Sequence, residues 1–99
     1  MHNDPSEIVR AHIWVKGRVQ GVGFRAHVEY LALENGVVGW VRNVGRETVE
    51  MMVEGDREIV EHFIDMVQEG PRMARVDESK VEWEPVTGEF SSFGVKPNI

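Results

Sequence analysis

The apolar period of this chain changes from two to about 3.6 and back again, twice, and that order of changes leaves few ways to fold it. Val9, Ala11, Ile13 and Val15 alternate with Arg10, His12, Trp14 and Lys16, so Ile8 to Lys16 reads as a strand with one buried face. Phe24, Val28, Leu31 and Ala32 then recur at helical spacing and Asn35-Gly36 supplies a left-handed stop, which predicts a helix over Phe24 to Glu34. Val37 to Arg42 and Thr48 to Glu54 are short strand-like runs separated by Asn43 to Glu47, the pattern of a hairpin. In the second run Val49, Met51 and Val53 face one way and Glu50, Met52 and Glu54 the other. Asp56 is the expected N-cap of a second helix, Ile59, Val60, Phe63, Met66 and Val67 its apolar stripe, and Gly70-Pro71 its end. Val81 and Trp83 alternate with Lys80, Glu82 and Glu84 as a fourth strand, and Phe93 to Lys96 adds a short fifth.

Strand, helix, strand, strand, helix, strand is the split βαβ order. It predicts an α+β, ferredoxin-like βαββαβ sandwich: an antiparallel sheet of four strands and the short fifth, with two helices on one face. A length of 99 residues suits one domain, expected over 8–99 behind a flexible tail of residues 1–7. With 41% hydrophobic and 28% charged residues the composition is globular, and the absence of cysteine excludes disulfides, thiolate metal sites and a thiol nucleophile. No apolar run is long enough to span a bilayer and the opening residues lack the regions of a signal peptide, so a cytoplasmic protein with no membrane partner is expected.

A net charge of −6 argues against general nucleic-acid binding, but its distribution is uneven. Residues 1–49 hold six basic and five acidic side chains, residues 50–99 five and twelve. Between Ile8 and Val28 lie Arg10, Lys16, Arg18 and Arg25 with no acid, which makes this stretch the most favourable place for an anion. Within it, Gly17-Arg18-Val19-Gln20-Gly21-Val22-Gly23 joins the first strand to the first helix. Successive backbone N–H groups of such a loop, with the positive end of the helix, can converge on a phosphate-sized anion. Arg25, in the first helical turn, can add a planar pair of charge-assisted hydrogen bonds. A tight βα turn with an exposed arginine would carry the same glycines. Asn43, at the end of the next strand, offers a carboxamide able to hold a water, or simply starts a turn.

Gly17-Arg18-Val19-Gln20-Gly21-Val22-Gly23-Phe24-Arg25, followed by Gly39-Trp40-Val41-Arg42-Asn43, resembles the pair of signature motifs of the acylphosphatases, small enzymes that hydrolyse the carboxyl–phosphate bond of acyl phosphates. The similarity extends from Ile8 to Lys96. It implies that Arg25 and Asn43 are catalytic, Arg25 binding the phosphoryl group and Asn43 orienting the attacking water. It also implies that the amides of Gln20, Gly21, Val22, Gly23, Phe24 and Arg25 form the phosphate loop. The substrate would be a small-molecule acyl phosphate, with no metal and no cofactor, acted on by a monomer. Family members usually place a glycine in the turn after the asparagine, where this chain has Glu47, with Gly45 two positions earlier.

His2, His12, His27 and His62 show no paired ligand spacing, so no metal site is expected. Trp14, Trp40 and Trp83 fall on three different strands and could form a base-stacking platform. The alternative function is therefore a non-catalytic anion-binding or RNA-binding module on the same fold. Ending at Ile99, the chain reads as a stand-alone domain rather than part of a larger carbamoyl-transferring protein.

Overall fold

The computed structural model describes residues 7–99; all of the predicted tail but Glu7 lies outside them. Seven elements follow in order: β1 (Ile8–Arg18), α1 (Phe24–Asn35), β2 (Val38–Val44), β3 (Thr48–Asp56), α2 (Arg57–Glu69), β4 (Arg75–Glu84) and β5 (Phe93–Val95). The strands form one sheet in the order β4-β1-β3-β2-β5, and both helices pack on one side of it, the α+β ferredoxin-like arrangement the periodicity predicts. Val9, Ala11, Ile13 and Val15 of β1 and Val49, Met51 and Val53 of β3 meet Phe24, Val28, Val60, Phe63 and Val67 in one core. Asp56 caps α2 through Glu58 N–H, and Gly36 closes α1 in the left-handed conformation.

The expectation of an antiparallel sheet needs correction: the sheet is mixed, because β5 runs parallel to β2, pairing Gly39 with Phe93 and Val41 with Val95. The cause is the crossing that precedes it. β4 lies antiparallel to β1 at one edge and finishes beside Arg10, and the chain then crosses that end of the sheet to the far edge. A strand entering from that end must run as β2 does.

The stripe of α2 also differs. Val60, Phe63, Ile64 and Val67 are buried while Ile59 is 40% exposed, because positions i, i+3, i+4 and i+7 make the narrower helical face. Glu7, counted with the tail, accepts from Arg57 through both its carbonyl and its carboxylate.

The sheet face away from the helices is not simply polar. Every residue from Val49 to Glu54 is buried, so β3, the central strand, is enclosed on both sides. Glu54 accepts from Arg10, from the backbone N–H groups of Thr87 and Gly88 and from the Thr87 hydroxyl, which pins the crossing segment onto the sheet. Glu50 accepts from Arg42 at 2.7 Å and lies 2.6 Å from His12 Nε2. Burial alone would raise the carboxyl pKa of both residues. The hydrogen bonds and cations around them outweigh it and hold both below the ordinary carboxylate range.

Candidate active site

Where β1 gives way to the glycine loop, a register shift between Lys16 and Gly17 breaks the β1–β4 ladder, and Gly17 N–H turns to the carbonyl of Glu47 in the β2–β3 turn. Gln20 strengthens the same junction, its Nε2 donating to the carbonyls of Thr48 at 2.9 Å and Gly45 at 3.2 Å. Val19 and Phe24, each 1% exposed, anchor the loop at both ends in the core. Beyond Gly17 the loop is thus held by apolar burial and by the Gln20 side chain, and among the described residues the backbone N–H groups of Val19 to Gly23 donate to no backbone carbonyl.

Gly23 forms the N-cap of α1 at φ 78° with no side-chain cap, and the first turn carries no acidic residue. A left-handed N-cap aims the first helical amides along the loop; a residue with a Cβ would strain there. The first backbone bond of the helix runs from His27 N–H to the Gly23 carbonyl, so the N–H groups of Phe24, Arg25 and Ala26 precede any helical acceptor. Free donors and the positive end of the helix dipole therefore point at the same space.

That space is a cleft of about 350 Å³ that collects most of the residues singled out in the sequence. Gln20, Gly21, Gly23, Phe24, Arg25 and Asn43 line it; the sixth loop residue, Val22, packs instead against the core. Arg25 is half-buried, with one guanidinium nitrogen donating to Asn98 Oδ1 at 2.8 Å. Asn43 does not project past the strand end. It lies inside β2 opposite Val49, turned to the helix side and 7% exposed. Its buried Oδ1 makes no hydrogen bond among the described residues. An acceptor withdrawn from water and left unpaired costs about 1–3 kcal/mol, so its retention calls for a partner that enters the cleft.

The departure at Glu47 is absorbed locally: Gly45, at φ 60°, takes the left-handed position of the turn, and among the described residues no residue other than glycine has positive φ. Of the four cations between Ile8 and Val28, only Arg25 lines the cleft; Arg10 is committed to Glu54, Glu84 and Glu89 on the opposite sheet face. Sequence reasoning missed three other lining residues, Ala26, Glu29 and Val95, and it missed Asn98. The first two share the helical turn after Arg25 and were legible from spacing. Val95 and Asn98 carry no local signal.

On the other sheet face the tertiary structure brings His12 within 4.8 Å of Glu82 and Glu84, a grouping that the spacing of the histidines had hidden. Both His12 nitrogens already meet carboxylates, Glu50 and Glu84, while Lys80 neutralises Glu82 at 3.0 Å. The three tryptophans do not form one platform. Trp14 and Trp40 flank His12 on this face, whereas Trp83, opposite Ala11, lies on the helix side beneath Arg57.

Comparison with known proteins agrees with this geometry. The Acylphosphatase family model matches residues 11–95. A curated acylphosphatase of Pyrobaculum islandicum is 47% identical over 95 residues, spanning 94% of this chain and 99% of the relative. One from Pelotomaculum thermopropionicum is 49% identical over 86 residues, spanning 87% and 94%. The crystal structure of acylphosphatase from Bacillus subtilis superposes with a TM-score of 0.85 at 31% identity, covering 89% of this chain and 98% of that one. The chain belongs to the acylphosphatase family, hydrolases that act on the acid-anhydride bond of small acyl phosphates.

Proposed function

We propose that this enzyme hydrolyses acyl phosphates without a metal, Arg25 and the amides from Gln20 to Arg25 binding the phosphoryl group and Asn43 aiming water at phosphorus. The observation that carries this reading is the unpaired, buried Asn43 Oδ1 in the same cleft as Arg25 and the uncapped start of α1. An acceptor there suits a water O–H, leaving the water's lone pair free to attack.

The chemistry asks little else of the protein. Water oxygen bonds to phosphorus as the bond from phosphorus to the acyl oxygen breaks. The electron pair leaves on a carboxylate whose conjugate acid has a pKa near ~4, so no general acid is needed. What remains is positioning and the stabilisation of charge on the phosphoryl oxygens, the work of preorganised N–H groups and a guanidinium. The one carboxylate lining the cleft is Glu29, a single ligand where a catalytic zinc site uses about three. A phosphate oxygen of the substrate takes the proton from water.

Phosphate release from benzoyl phosphate, with and without a chelator, tests the proposal. Release that the chelator leaves unchanged, and that inorganic phosphate inhibits in competition with substrate, is the expected result. No release, or release abolished by the chelator, overturns it. Among the described residues no helix is long and apolar enough to cross a membrane. The same reading takes the enzyme to be a cytoplasmic monomer; cell fractionation and light scattering test both, a two-chain mass or a membrane-held pool contradicting them.

A further inference from the structure

Beyond β5 the chain continues along the end of β2 instead of leaving the sheet. Lys96 N–H donates to the Val41 carbonyl at 2.8 Å, Ile99 N–H to the Asn43 carbonyl at 3.1 Å, and Gly45 N–H to the Ile99 carbonyl at 2.8 Å. These three bonds strap residues 96–99 against the backbone that carries Asn43. Between them stands Asn98, whose Oδ1 accepts from the Arg25 guanidinium at 2.8 Å. Arg25 and Asn43 come from different elements, α1 and β2, and one short segment touches both.

An arginine side chain has many rotamers to give up before its fork can meet an oxyanion. A neutral acceptor held by a backbone strap removes part of that freedom in advance. It occupies one of five guanidinium N–H donors and leaves the remainder for an anion. Neutrality is the important property. A carboxylate in the same place would cancel the guanidinium charge and repel a phosphate dianion, whereas a carboxamide orients the cation without neutralising it.

We infer that Asn98 is a positioning residue for phosphoryl binding, acting through Arg25, and that the 96–99 strap sets the guanidinium in register with Asn43. The inference rests on the reading in which Arg25 binds the phosphoryl group. It goes beyond the family motifs, which stop at Asn43.

Inorganic phosphate is the probe, titrated into the full chain and read from the amide NMR shifts of Gly21 to Arg25, with benzoyl phosphate kinetics in parallel. Asn98→Ala removes one hydrogen bond to a charged donor at an exposed site, so the phosphate Kd and the KM should each rise about three- to tenfold. Asn98→Asp retains the acceptor and adds charge; at neutral pH it should weaken phosphate binding more than the alanine does, and lowering pH should restore it. A purely structural strap would move thermal stability while leaving phosphate affinity alone, and would not make the aspartate worse than the alanine.

A cycle with Arg25→Ala separates this inference from its parent. In the Arg25→Ala background the Asn98 substitution should change phosphate affinity by less than twofold. An equal effect in both backgrounds, or no effect of either Asn98 variant in the parent chain, overturns the positioning role. Phosphate binding unchanged by Arg25→Ala alone overturns the reading beneath it.

Discussion

Replacing Asn43 by leucine should make this enzyme more stable and nearly inactive. Asn43 is 7% exposed, sits opposite Val49 on the helix side of the sheet with Val15 next beyond, and holds an acceptor with no partner among the described residues. Such an acceptor costs about 1–3 kcal/mol when buried. The cleft is open enough for water to recover part of that, so the lower end, about 1 kcal/mol, applies. Leucine has nearly the same shape and meets apolar neighbours, so it removes the penalty without opening a cavity. For a domain of this length about 1 kcal/mol raises the melting temperature by roughly 4–8 °C. Turnover should fall about 10²–10³-fold, the usual loss when one preorganised group is removed from charge developing in the transition state. KM should change much less, since an aimed water matters to the transition state and not to ground-state binding. Thermal denaturation and steady-state hydrolysis of benzoyl phosphate read the two halves separately. A leucine variant that melts lower than the parent would refute the stability argument, and one that keeps its kcat would refute the role given to the carboxamide.

Arg25→Gln should lose at least about 10³-fold in kcat/KM, because a charged, planar donor is replaced by a neutral one; activity within tenfold of the parent in a phosphate-release assay would contradict this. Gly23→Ala should fold, since a Cβ there meets nothing within 4 Å, yet at φ 78° it should cost about 1–2 kcal/mol of strain and misdirect the first amides of α1. Circular dichroism melts with phosphate titration check that pairing of mild destabilisation and weakened anion binding. Glu54 and Glu50 are held below the ordinary carboxylate range in the folded protein, so as pH falls the unfolded chain takes up protons first. Their stabilisation is therefore complete above that range and is lost as pH drops through and below it. Melting temperature plotted against pH should fall on the acid side, less steeply in Glu54→Gln, which at neutral pH should be about 1.5–3 kcal/mol less stable; parallel acid limbs in parent and variant would contradict the assignment.

Most of the residues that line the cleft stand out in the sequence. The glycines between Lys16 and Phe24, the arginine in the next turn and the asparagine after Val41 are local patterns, and local geometry turns them into a loop, a helix start and a strand end. What was misread depended on packing. The alternation in β3 put Glu50, Met52 and Glu54 on the face away from Val49, Met51 and Val53 but did not say what covers them, because a period of two marks only that the two faces differ. Their burial follows from β3 being the central strand and from the 85–92 crossing that Glu54 holds down. Ile59 and Ile64 exchanged places because two adjacent apolar stripes on α2 fit the same spacing, and the sheet chose between them.

The order of periods along the chain was enough to determine the number and sequence of the elements, and neighbouring residues the helix ends at Asp56, Gly36 and Gly70, but the pattern at Lys80 to Glu84 left out the first half of β4, which begins at Arg75. The parallel β5, the enclosed carboxylates and the meeting of Arg25 with Asn98 were decided by the tertiary structure alone. Partners separated by tens of residues leave no periodic trace in the chain, because their distance is set by how the layers close over a shared core and not by either residue's neighbours.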